Sequence, residues 1–355
     1  MTKPTQSAPR VAVVILNWNG RHHLETYLPS VVEHSKEHAE IVVIDNGSSD
    51  DSKVWLGEHY PDAHLIELQE NLGFAGGYNA GLKEISADFF VLLNSDVRTT
   101  PNWIPPVIDM MQNEVYAACQ PLIRNETDPE LFEYAGAAGG FIDRDGFTFC
   151  AGRIFEVFET DHGQYNSNRE VFWASGAALF IQADAWYEVG GLDEDFFAHM
   201  EEIDLCWRLK NRGYKIGVCG QSIVYHLGGG TLQKISPFKS YLNFRNNLYM
   251  LVKNNHQRAL YPMLLRRMAL DGIAALKFLM EGSTALFAAV WKAHRDFRAN
   301  FDTMKKRREK EFKECHSIEG RLSNRTGRYK GSIIFDYFIR RKHTFRQLDP
   351  DRFCK

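Results

Sequence analysis

Several features that are missing from this 355-residue sequence narrow its class. It has no uncharged apolar stretch of about 18–20 residues, so we expect no transmembrane helix. Its six cysteines include no Cys-x-x-Cys pair and fit neither a zinc ribbon nor a disulfide framework, which favours reduced thiols in a cytoplasmic protein. The N-terminal MTKPTQSAPR is polar, and the short apolar run after it lacks a small-residue cleavage site, which argues against a signal peptide.

An excess of one charge is also missing. The net charge of −3 argues against nucleic acid as the main partner. The 44% hydrophobic content is enough for a sizeable core. The length suits one large α/β domain with appendages, or two domains.

The sequence is organised around the run FFVLLNSDV at residues 89–97. Its first five residues are apolar, which is typical of a strand buried on both faces. Open α/β sheets bind ligands at the carboxyl ends of their strands, and Asp96 lies at this position. A carboxylate there suits a hard divalent cation that bridges to substrate phosphates. Asp96 could equally well have a structural role, as the cap of a helix that begins near Asn102.

Three more strands are predicted at residues 11–16, 41–44 and 64–68, with helical segments between them. Each strand precedes a segment rich in amide or acidic side chains, and this alternation is typical of a nucleotide-binding half-domain. The glycine-rich segment NLGFAGGYNAG at 71–81 contains neither G-x-G-x-x-G nor GK[ST]. Its glycines could bring backbone amides close to a phosphate at a helix N-terminus, or could allow close helix–strand packing.

Residues 120–168 show no clear period, and we interpret them as an excursion from the sheet that carries a substrate-selecting surface. A strand then ends near Ile181, and a helix begins near Glu201. On that helix Glu201, Asp204 and Arg208 share a face, while Glu202 points about 100° away. These acids could complement the helix dipole. Alternatively, a carboxylate in apolar surroundings has a raised pKa, which makes it a better base near neutral pH.

The late part of the sequence is less specific. His226 ends a predicted strand before three glycines, and a lone histidine there is more often a satisfied polar residue than a ligand. Residues 237–255 predict a helix, and residues 263–290 have an amphipathic pattern. Basic runs follow at 305–308 and 340–342. Attachment to an anionic membrane and an ordinary helical appendage both fit this pattern.

Six motifs in this order resemble family 2 glycosyltransferases, with the greatest likeness to the rhamnosyltransferase-like branch. They are NWNG, VVIDNGSSDDS, NLGFAGGYNAG, LLNSDV, SGAALFI and FFAHMEEIDLCWRLKNRGY, and they lie between about residues 11 and 230. The resemblance implies an inverting enzyme with an α/β GT-A fold, which has a Rossmann-like, mixed but mainly parallel sheet. We therefore expect a disordered N-terminus at 1–10, a GT-A domain at 11–236 and a helical C-terminal region at 237–355.

The resemblance also implies roles for individual residues. Glu202 would be the catalytic base, with Glu201 as the alternative, and Asp96 and His226 would bind Mg²⁺ or Mn²⁺. The remaining positions would bind the nucleotide-diphosphate sugar: Asn17, Asp45, Asn46, Phe74, Ala75, Gly76, Asn79, Asn94 and Ser95. Two positions depart from the family pattern, because Asn94 replaces the first aspartate of the D-x-D element and Glu202 replaces an aspartate.

The expected reaction is inverting transfer of a sugar to the hydroxyl of a glycan or lipid-linked acceptor, in cell-envelope polysaccharide or glycolipid assembly. We expect a cytoplasmic protein, with the inner face of the plasma membrane as a candidate location. Two alternatives remain. A non-catalytic sugar-nucleotide-binding protein would explain Asn94 and the altered acid pair. A nucleotidyltransferase would need basic residues around a triphosphate, and residues 71–80 contain no Arg or Lys.

Overall fold

The computed structural model describes residues 8–228, 236–255, 260–317 and 323–355. Most of the N-terminus that was expected to be disordered lies outside these residues. The backbone N–H of Arg10 is described and donates to Asp88 Oδ2 over 2.7 Å. The predicted glycine loop at 228–230 lies outside the described residues from position 229 onward.

The strands form a large mixed sheet and a smaller second sheet. They are β1 (Val11–Asn17), β2 (Glu40–Asn46), β3 (His64–Leu68), β4 (Phe89–Leu93), β5 (Val97–Thr99), β6 (Tyr116–Asn125), β7 (Gly140–Asp143), β8 (Thr148–Cys150), β9 (Arg153–Ile154), β10 (Val157–Phe158), β11 (Arg169–Val171), β12 (Ala178–Gln182), β13 (Lys215–His226) and β14 (Arg328–Tyr329). The large sheet has the order β11-β13-β6-β12-β4-β1-β2-β3, with β5 also paired to β13. Strands β3, β2, β1 and β4 are parallel, and β12 is antiparallel to its neighbours β4 and β6. The expected mixed, mainly parallel α/β sheet is therefore confirmed.

Helices cover both faces of the large sheet and continue into a helical C-terminal region. They are α1 (Arg21–Ser35), α2 (Ser52–His59), α3 (Gly73–Gly81), α4 (Pro105–Glu114), α5 (Ala183–Glu188), α6 (Glu201–Asn211), α7 (Pro237–Asn254), α8 (Leu260–Met280), α9 (Thr284–Ala299), α10 (Phe301–Ser317) and α11 (Ile333–Phe338). Successive strand residues point to opposite faces, so Ala12 and Val14 join one core layer while Val13 and Ile15 join the other. Helix α4 begins at Pro105 with Ile104 as its N-cap residue, so Asp96 does not cap it.

Two regions differ from the sequence-based expectation. Residues 120–125 are not part of an excursion, because they complete β6 inside the large sheet. The rest of that aperiodic region supplies β7–β10 of the second sheet, whose strands are two to four residues long and therefore too short to show a period. Strand β13 is one strand rather than two, and a register shift between Cys219 and Ile223 interrupts its alternation.

The amphipathic segment forms two helices, α8 and α9, separated near Gly282, whose φ is 77°. Part of each basic run is used inside the protein: Arg307 pairs with Asp193 and Asp195, Arg308 donates to backbone carbonyls, and Arg340 pairs with Asp336. In the described chain, every helix is too short or too polar to cross a bilayer. The cysteines are all free thiols, and all but Cys354 are buried.

Residues near the end of the sequence return to the second sheet. Strand β14 pairs in parallel with β7, and the N–H of Ile333 donates to Asp143 Oδ2 over 2.9 Å. Asn324 N–H donates to the carbonyl of Lys210 over 2.8 Å. This segment therefore joins the C-terminal region to the second sheet and to helix α6.

Candidate active site

The ends of β1 and β2 form the first part of the candidate site. Their register places Asn17 opposite Asp45, and Asn17 Nδ2 donates to Asp45 Oδ2 over 3.2 Å. The N–H of Ser48 donates to the other carboxylate oxygen over 2.9 Å. Among the described residues, buried Asn17 Oδ1 has no hydrogen-bond partner, so it can accept from a ligand. A Cβ on Gly20 would lie 2.6 Å from this oxygen and 3.9 Å from Ser95 Oγ, which places the β1 and β4 ends close together.

Two amides that are predicted to bind the donor form hydrogen bonds to the protein's own loops. Asn46 Nδ2 donates to Asn71 Oδ1 and to the Gly73 carbonyl, over 3.0 and 3.1 Å. Asn79 exchanges two hydrogen bonds with the backbone of Leu192, over 2.8 and 2.9 Å. Both side chains shape the site by holding the segments at either end of α3.

Phe74, Ala75 and Gly76 lie in the first turn of α3. The N–H of Phe74 donates to the Phe197 carbonyl over 3.0 Å. Close packing explains other glycines of this helix, because a Cβ on Gly81 would lie 2.2 Å from Ile44 Cδ1. Both interpretations of the glycine-rich segment therefore apply to different residues of it.

Asp96 and His226 lie in direct contact at the end of β4. The pairing of β5 with β13 places Val97 opposite His226, and His226 Nε2 lies 3.1 Å from Asp96 Oδ1. The other ring nitrogen, Nδ1, lies 3.4 Å from Glu133 Oε1. Glu133 was not predicted from the sequence, because it lies in the aperiodic region and 93 positions before its partner. The structure therefore brings together a buried acid–histidine–acid cluster.

Attraction between the histidine and the two acids shifts the pKa values of Asp96 and His226. Burial raises the pKa of Asp96, but His226 outweighs that effect and leaves the Asp96 pKa below its ordinary value. Burial lowers the pKa of His226, while the stronger effect of Glu133 and Asp96 together raises it to about 10. The cluster thus holds a protonated histidine between two carboxylates.

The same two atoms fit one divalent cation. Ligands about 2.1 Å from a metal at right angles lie about 3 Å apart, close to the 3.1 Å between Asp96 and His226. The described residues contain no group of three or more His, Cys, Asp or Glu side chains that could hold a metal ion. A cation here would therefore take its remaining ligands from water or from a bound diphosphate. Glu133 is placed to orient the imidazole through Nδ1.

The acid pair begins α6. Glu201 is buried, whereas Glu202 is partly exposed, and each has one buried Oε2 atom without a hydrogen-bond partner in the described chain. Burial raises the pKa of Glu202 to about 7. Burial and then the charge of Glu202 raise the Glu201 pKa well above its ordinary value. The pair therefore still holds a proton near neutral pH. A pKa near the working pH is what an efficient general base requires.

Asp204 differs from the pair, although it lies on the same helix. Burial raises its pKa, but Lys253 and Arg208 outweigh this and lower it to about 2. Arg208 Nε donates to Asp204 Oδ2 over 2.8 Å, which confirms the predicted ion pair. Asp204 is thus a permanently charged structural group.

The segment 175–177 connects the cation side of the site to the acid pair. The N–H of Asn94 donates to the Ala177 carbonyl over 3.0 Å. A Cβ on the preceding Gly176 would lie 3.5 Å from Glu202 Cβ and 3.7 Å from Phe74 Cζ. Asn94 Nδ2 also lies 3.4 Å from His226 Nε2. The cluster, the start of α3 and the acid pair therefore surround one place.

A strained turn presents the acid pair. Phe197, His199 and Met200 have φ values of 63°, 67° and 74°, in the left-handed region that L-residues rarely adopt. Asn246 of α7 donates from Nδ2 to the carbonyls of Phe196, Ala198 and His199, over 3.0, 2.8 and 2.8 Å. Helix α7 thus clamps the turn, a role that sequence reasoning missed because the partners are 47 or more positions apart.

His199 carries a second perturbed group within this turn. Its burial, with a smaller effect of Lys239, lowers the pKa to about 4, so its imidazole is neutral at neutral pH. In the described chain its Nε2 atom is buried without a hydrogen-bond partner. The Nε2 atom of His199 therefore remains able to form a hydrogen bond, two residues before the acid pair.

The mixed sheet with its surrounding helices forms a GT-A fold, and comparisons with known proteins show which proteins the chain is similar to. The family model "Glycosyl transferase family 2" matches residues 12–175. Just under half of the chain therefore matches glycosyl transferase family 2. The matched residues include Asn17, Asp45 and Asp96 but not Glu202 or His226.

Curated relatives agree with this family. The chain is 27% identical over 237 residues to the N-acetylglucosaminyl-diphospho-decaprenol L-rhamnosyltransferase of Mycobacterium tuberculosis. The aligned region covers 62% of this chain and 76% of the relative. It is 24% identical to the low-salt glycan biosynthesis hexosyltransferase Agl10 of Haloferax volcanii, over 66% of this chain and 73% of the relative. The predicted likeness to the rhamnosyltransferase-like branch is confirmed.

Solved structures show the same fold. TarS 1–349 of S. aureus in complex with UDP-GlcNAc has a TM-score of 0.53 at 13% identity, covering 87% of this chain and 90% of that chain. The mannosyltransferase PcManGT of Pyrobaculum calidifontis, in complex with GDP-Man and Mn²⁺, has a TM-score of 0.51 at 13% identity, covering 88% and 87%. GalNAc-T7 with UDP, GalNAc and Mn²⁺ has a TM-score of 0.54 at 17% identity, covering 70% and 48%. At such identities the likeness establishes the GT-A fold.

Proposed function

We propose that this glycosyltransferase moves a sugar, with inversion, from a nucleotide-diphosphate sugar to an acceptor hydroxyl, with Glu202 as the base. The observation that carries the proposal is the convergence on segment 175–177, where the N–H of Asn94 donates to the Ala177 carbonyl and a Cβ on Gly176 would lie 3.5 Å from Glu202 Cβ. A cation side and a proton-accepting side therefore flank one place. Residues 11–236 would form the catalytic domain, and 237–355 the helical region that supports it.

Donor binding is assigned to the strand ends. Asn17 and Asp45 would contact the nucleobase, because the free Oδ1 of Asn17 and the fixed Asp45 carboxylate offer acceptors there. Phe74, Ala75 and Gly76 would line the diphosphate pocket together with Asn94 and Ser95. Asn46 and Asn79 would act by positioning α3 rather than by touching the donor.

Mg²⁺ or Mn²⁺ held by Asp96 and His226 would neutralise charge on the departing diphosphate. Binding requires His226 to give up its proton, and Glu133 would then orient the neutral imidazole. The presence of Mn²⁺ in two structural neighbours supports this cofactor class. Asn94 contributes no charge here, so the site depends more heavily on the diphosphate than a site with two aspartates.

Glu202 would take the acceptor proton as the acceptor oxygen attacks the anomeric carbon from the face opposite the leaving group. General-base assistance of this kind is worth about 10²–10⁴-fold in rate. Its partial exposure favours Glu202 over the fully buried Glu201. Burial and the charge of Glu202 raise the pKa of Glu201, which would keep Glu201 protonated beside the base.

The acceptor is proposed to be a glycan or a lipid-linked sugar in envelope assembly. One relative is named for a diphospho-decaprenol-linked sugar, and others are poly-beta-1,6-N-acetyl-D-glucosamine synthases of Staphylococcus aureus. We further propose a cytoplasmic location at the inner face of the plasma membrane, where such acceptors would be met.

The test is a panel of nucleotide sugars and acceptors in which the released product is identified. Wild-type protein should release a nucleoside diphosphate. Glu202→Gln should slow transfer by about 10²–10⁴-fold while retaining donor binding, and the exposed control Glu114→Gln should behave as wild type. Full activity of Glu202→Gln would refute its role. Binding without turnover across the panel would favour a sugar-nucleotide-binding protein, and release of pyrophosphate would favour a nucleotidyltransferase.

A further inference from the structure

Helix α8 has an apolar face that nothing in the described structure covers. The α8 stripe consists of Tyr261, Leu265, Ala269, Ile273, Leu276 and Met280. At about 100° per residue these positions fall within an arc of about 120°. Leu265, Ile273, Leu276 and Met280 are 71%, 64%, 55% and 81% exposed. The opposite face is buried against the protein, so the orientation of the helix is fixed.

The size of the α8 stripe indicates a docking surface. Single exposed apolar residues are ordinary, but a continuous row of large ones along a helix usually marks an interaction site. A helix of 21 residues is about 30 Å long. Charged residues interrupt this helix, so it cannot span a bilayer. The stripe could enter a bilayer only if the helix lay parallel to the membrane surface.

Charge distinguishes between two occupants, an anionic lipid surface and a second copy of the chain. Residues 260–299, which include α8 and α9, contain six Lys and Arg against three Asp and Glu, although the whole chain has a net charge of −3. Arg266 and Lys277 follow one edge of the stripe. Arg266 pairs with Asp145 and the exposed Lys277 with the exposed Glu281, while Asp271 is buried against Arg267. A symmetric pair of stripes would bring positive borders together, which is unfavourable, whereas an anionic surface complements them.

Helix α9 packs against α8 and also has exposed apolar and basic residues. Trp291 is 68% exposed, and Arg295 and Arg298 are exposed one and two turns further along. Tryptophan beside arginine is typical of segments at the boundary between lipid headgroups and acyl chains. We propose that the α8 stripe, with the exposed face of α9, docks this protein on an anionic lipid surface.

Part of each basic run predicted from the sequence is used inside the protein. Arg307, Arg308 and Arg340 of the two basic runs make internal contacts. The positive border of the stripe lies earlier in the sequence, on α8 and α9. The inference goes beyond the transfer reaction and does not depend on it.

The experiment is co-sedimentation of the full chain with vesicles of phosphatidylglycerol and phosphatidylethanolamine, compared with vesicles of phosphatidylcholine. Wild-type protein should sediment with the anionic vesicles at low salt and be released as salt rises. The double variant Ile273→Glu/Leu276→Glu should lose at least about tenfold in partitioning. Val54→Glu is the matched control, because Val54 is 65% exposed on α2 and lies outside the stripe.

Thermal unfolding and nucleotide-sugar binding establish that the variants are folded. Binding to neither vesicle, equal binding to both kinds, or equal loss in the control would overturn the proposal. So would a concentration-dependent dimer in analytical ultracentrifugation that the double variant dissociates, since the stripe would then cover a second copy. None of these outcomes bears on transfer, which is measured separately through nucleoside diphosphate release.

Discussion

Replacing Asn246 by alanine should slow transfer far more than it weakens donor binding. The amide donates to three carbonyls of a turn in which Phe197, His199 and Met200 have positive φ. Each strained residue costs about 1 kcal/mol, and each hydrogen bond contributes about 1 kcal/mol net, so the clamp offsets the strain. Without it, recovering the productive turn would cost about 3 kcal/mol, which corresponds to a fall of about 100-fold in kcat.

The matched control is the neighbouring Asn247→Ala. Asn247 is equally buried on the same helix, but its Nδ2 donates to the Gly146 carbonyl, over 3.0 Å, away from the turn. Both variants should lower the melting temperature, while only Asn246→Ala should lower kcat at an unchanged KM for the donor. The acid limb of its pH profile should also shift, because the surroundings of Glu202 change. Equal kcat values for the two variants, or an Asn246→Ala kcat within twofold of wild type, would refute the clamp.

Four further predictions concern the acids and the cation. Glu202→Gln should lower kcat by about 10²–10⁴-fold with donor affinity retained in calorimetry, and the same result for Glu201→Gln alone would transfer the role of base to Glu201. With a Glu202 pKa of about 7, the wild-type rate should rise up to about pH 7 and then level off, and a rate independent of pH from 5 to 8 would contradict this. The folded state binds the Glu202 proton more tightly than the unfolded state does. The free energy of unfolding should therefore fall as pH rises from 4.5 to about 7. Because glutamine does not ionise, Glu202→Gln should raise the melting temperature at pH 8 but not at pH 4. Asp96→Ala and His226→Ala should abolish the thermal stabilisation by Mn²⁺ with a nucleoside diphosphate, and Glu133→Gln should weaken Mn²⁺ binding by about 10–100-fold; an undiminished Mn²⁺ response would exclude the assigned site.

The sequence predicted the parts of the fold that depend on continuous apolar runs. The buried strand at residues 89–93 and the position of Asp96 after it follow from local pattern and from the geometry of parallel sheets. The bulge in β13 was not predictable, because the inserted residues break the alternation that marks a strand. Likewise Gly282 separates α8 from α9 within one apparently continuous amphipathic pattern.

The site was predictable only where one residue acts at the end of its own strand. The contact of Glu133 with His226 and the clamp by Asn246 join distant parts of the chain, and a single sequence contains no information on such pairs. Asn46 and Asn79 show the converse problem. An amide near a ligand site can bind the ligand or a loop, and only the hydrogen-bond partners distinguish the two.

The return of residues 324–355 to the second sheet has a consequence for synthesis. Asp143 and Ile333 are joined by a hydrogen bond although they lie 190 positions apart. During synthesis, the edge of β7 that pairs with β14 therefore stays unpaired until almost all of this sequence has been translated. A nascent chain that stalls before Asn324 would keep that edge exposed, and would be a substrate for chaperones rather than a nearly complete enzyme.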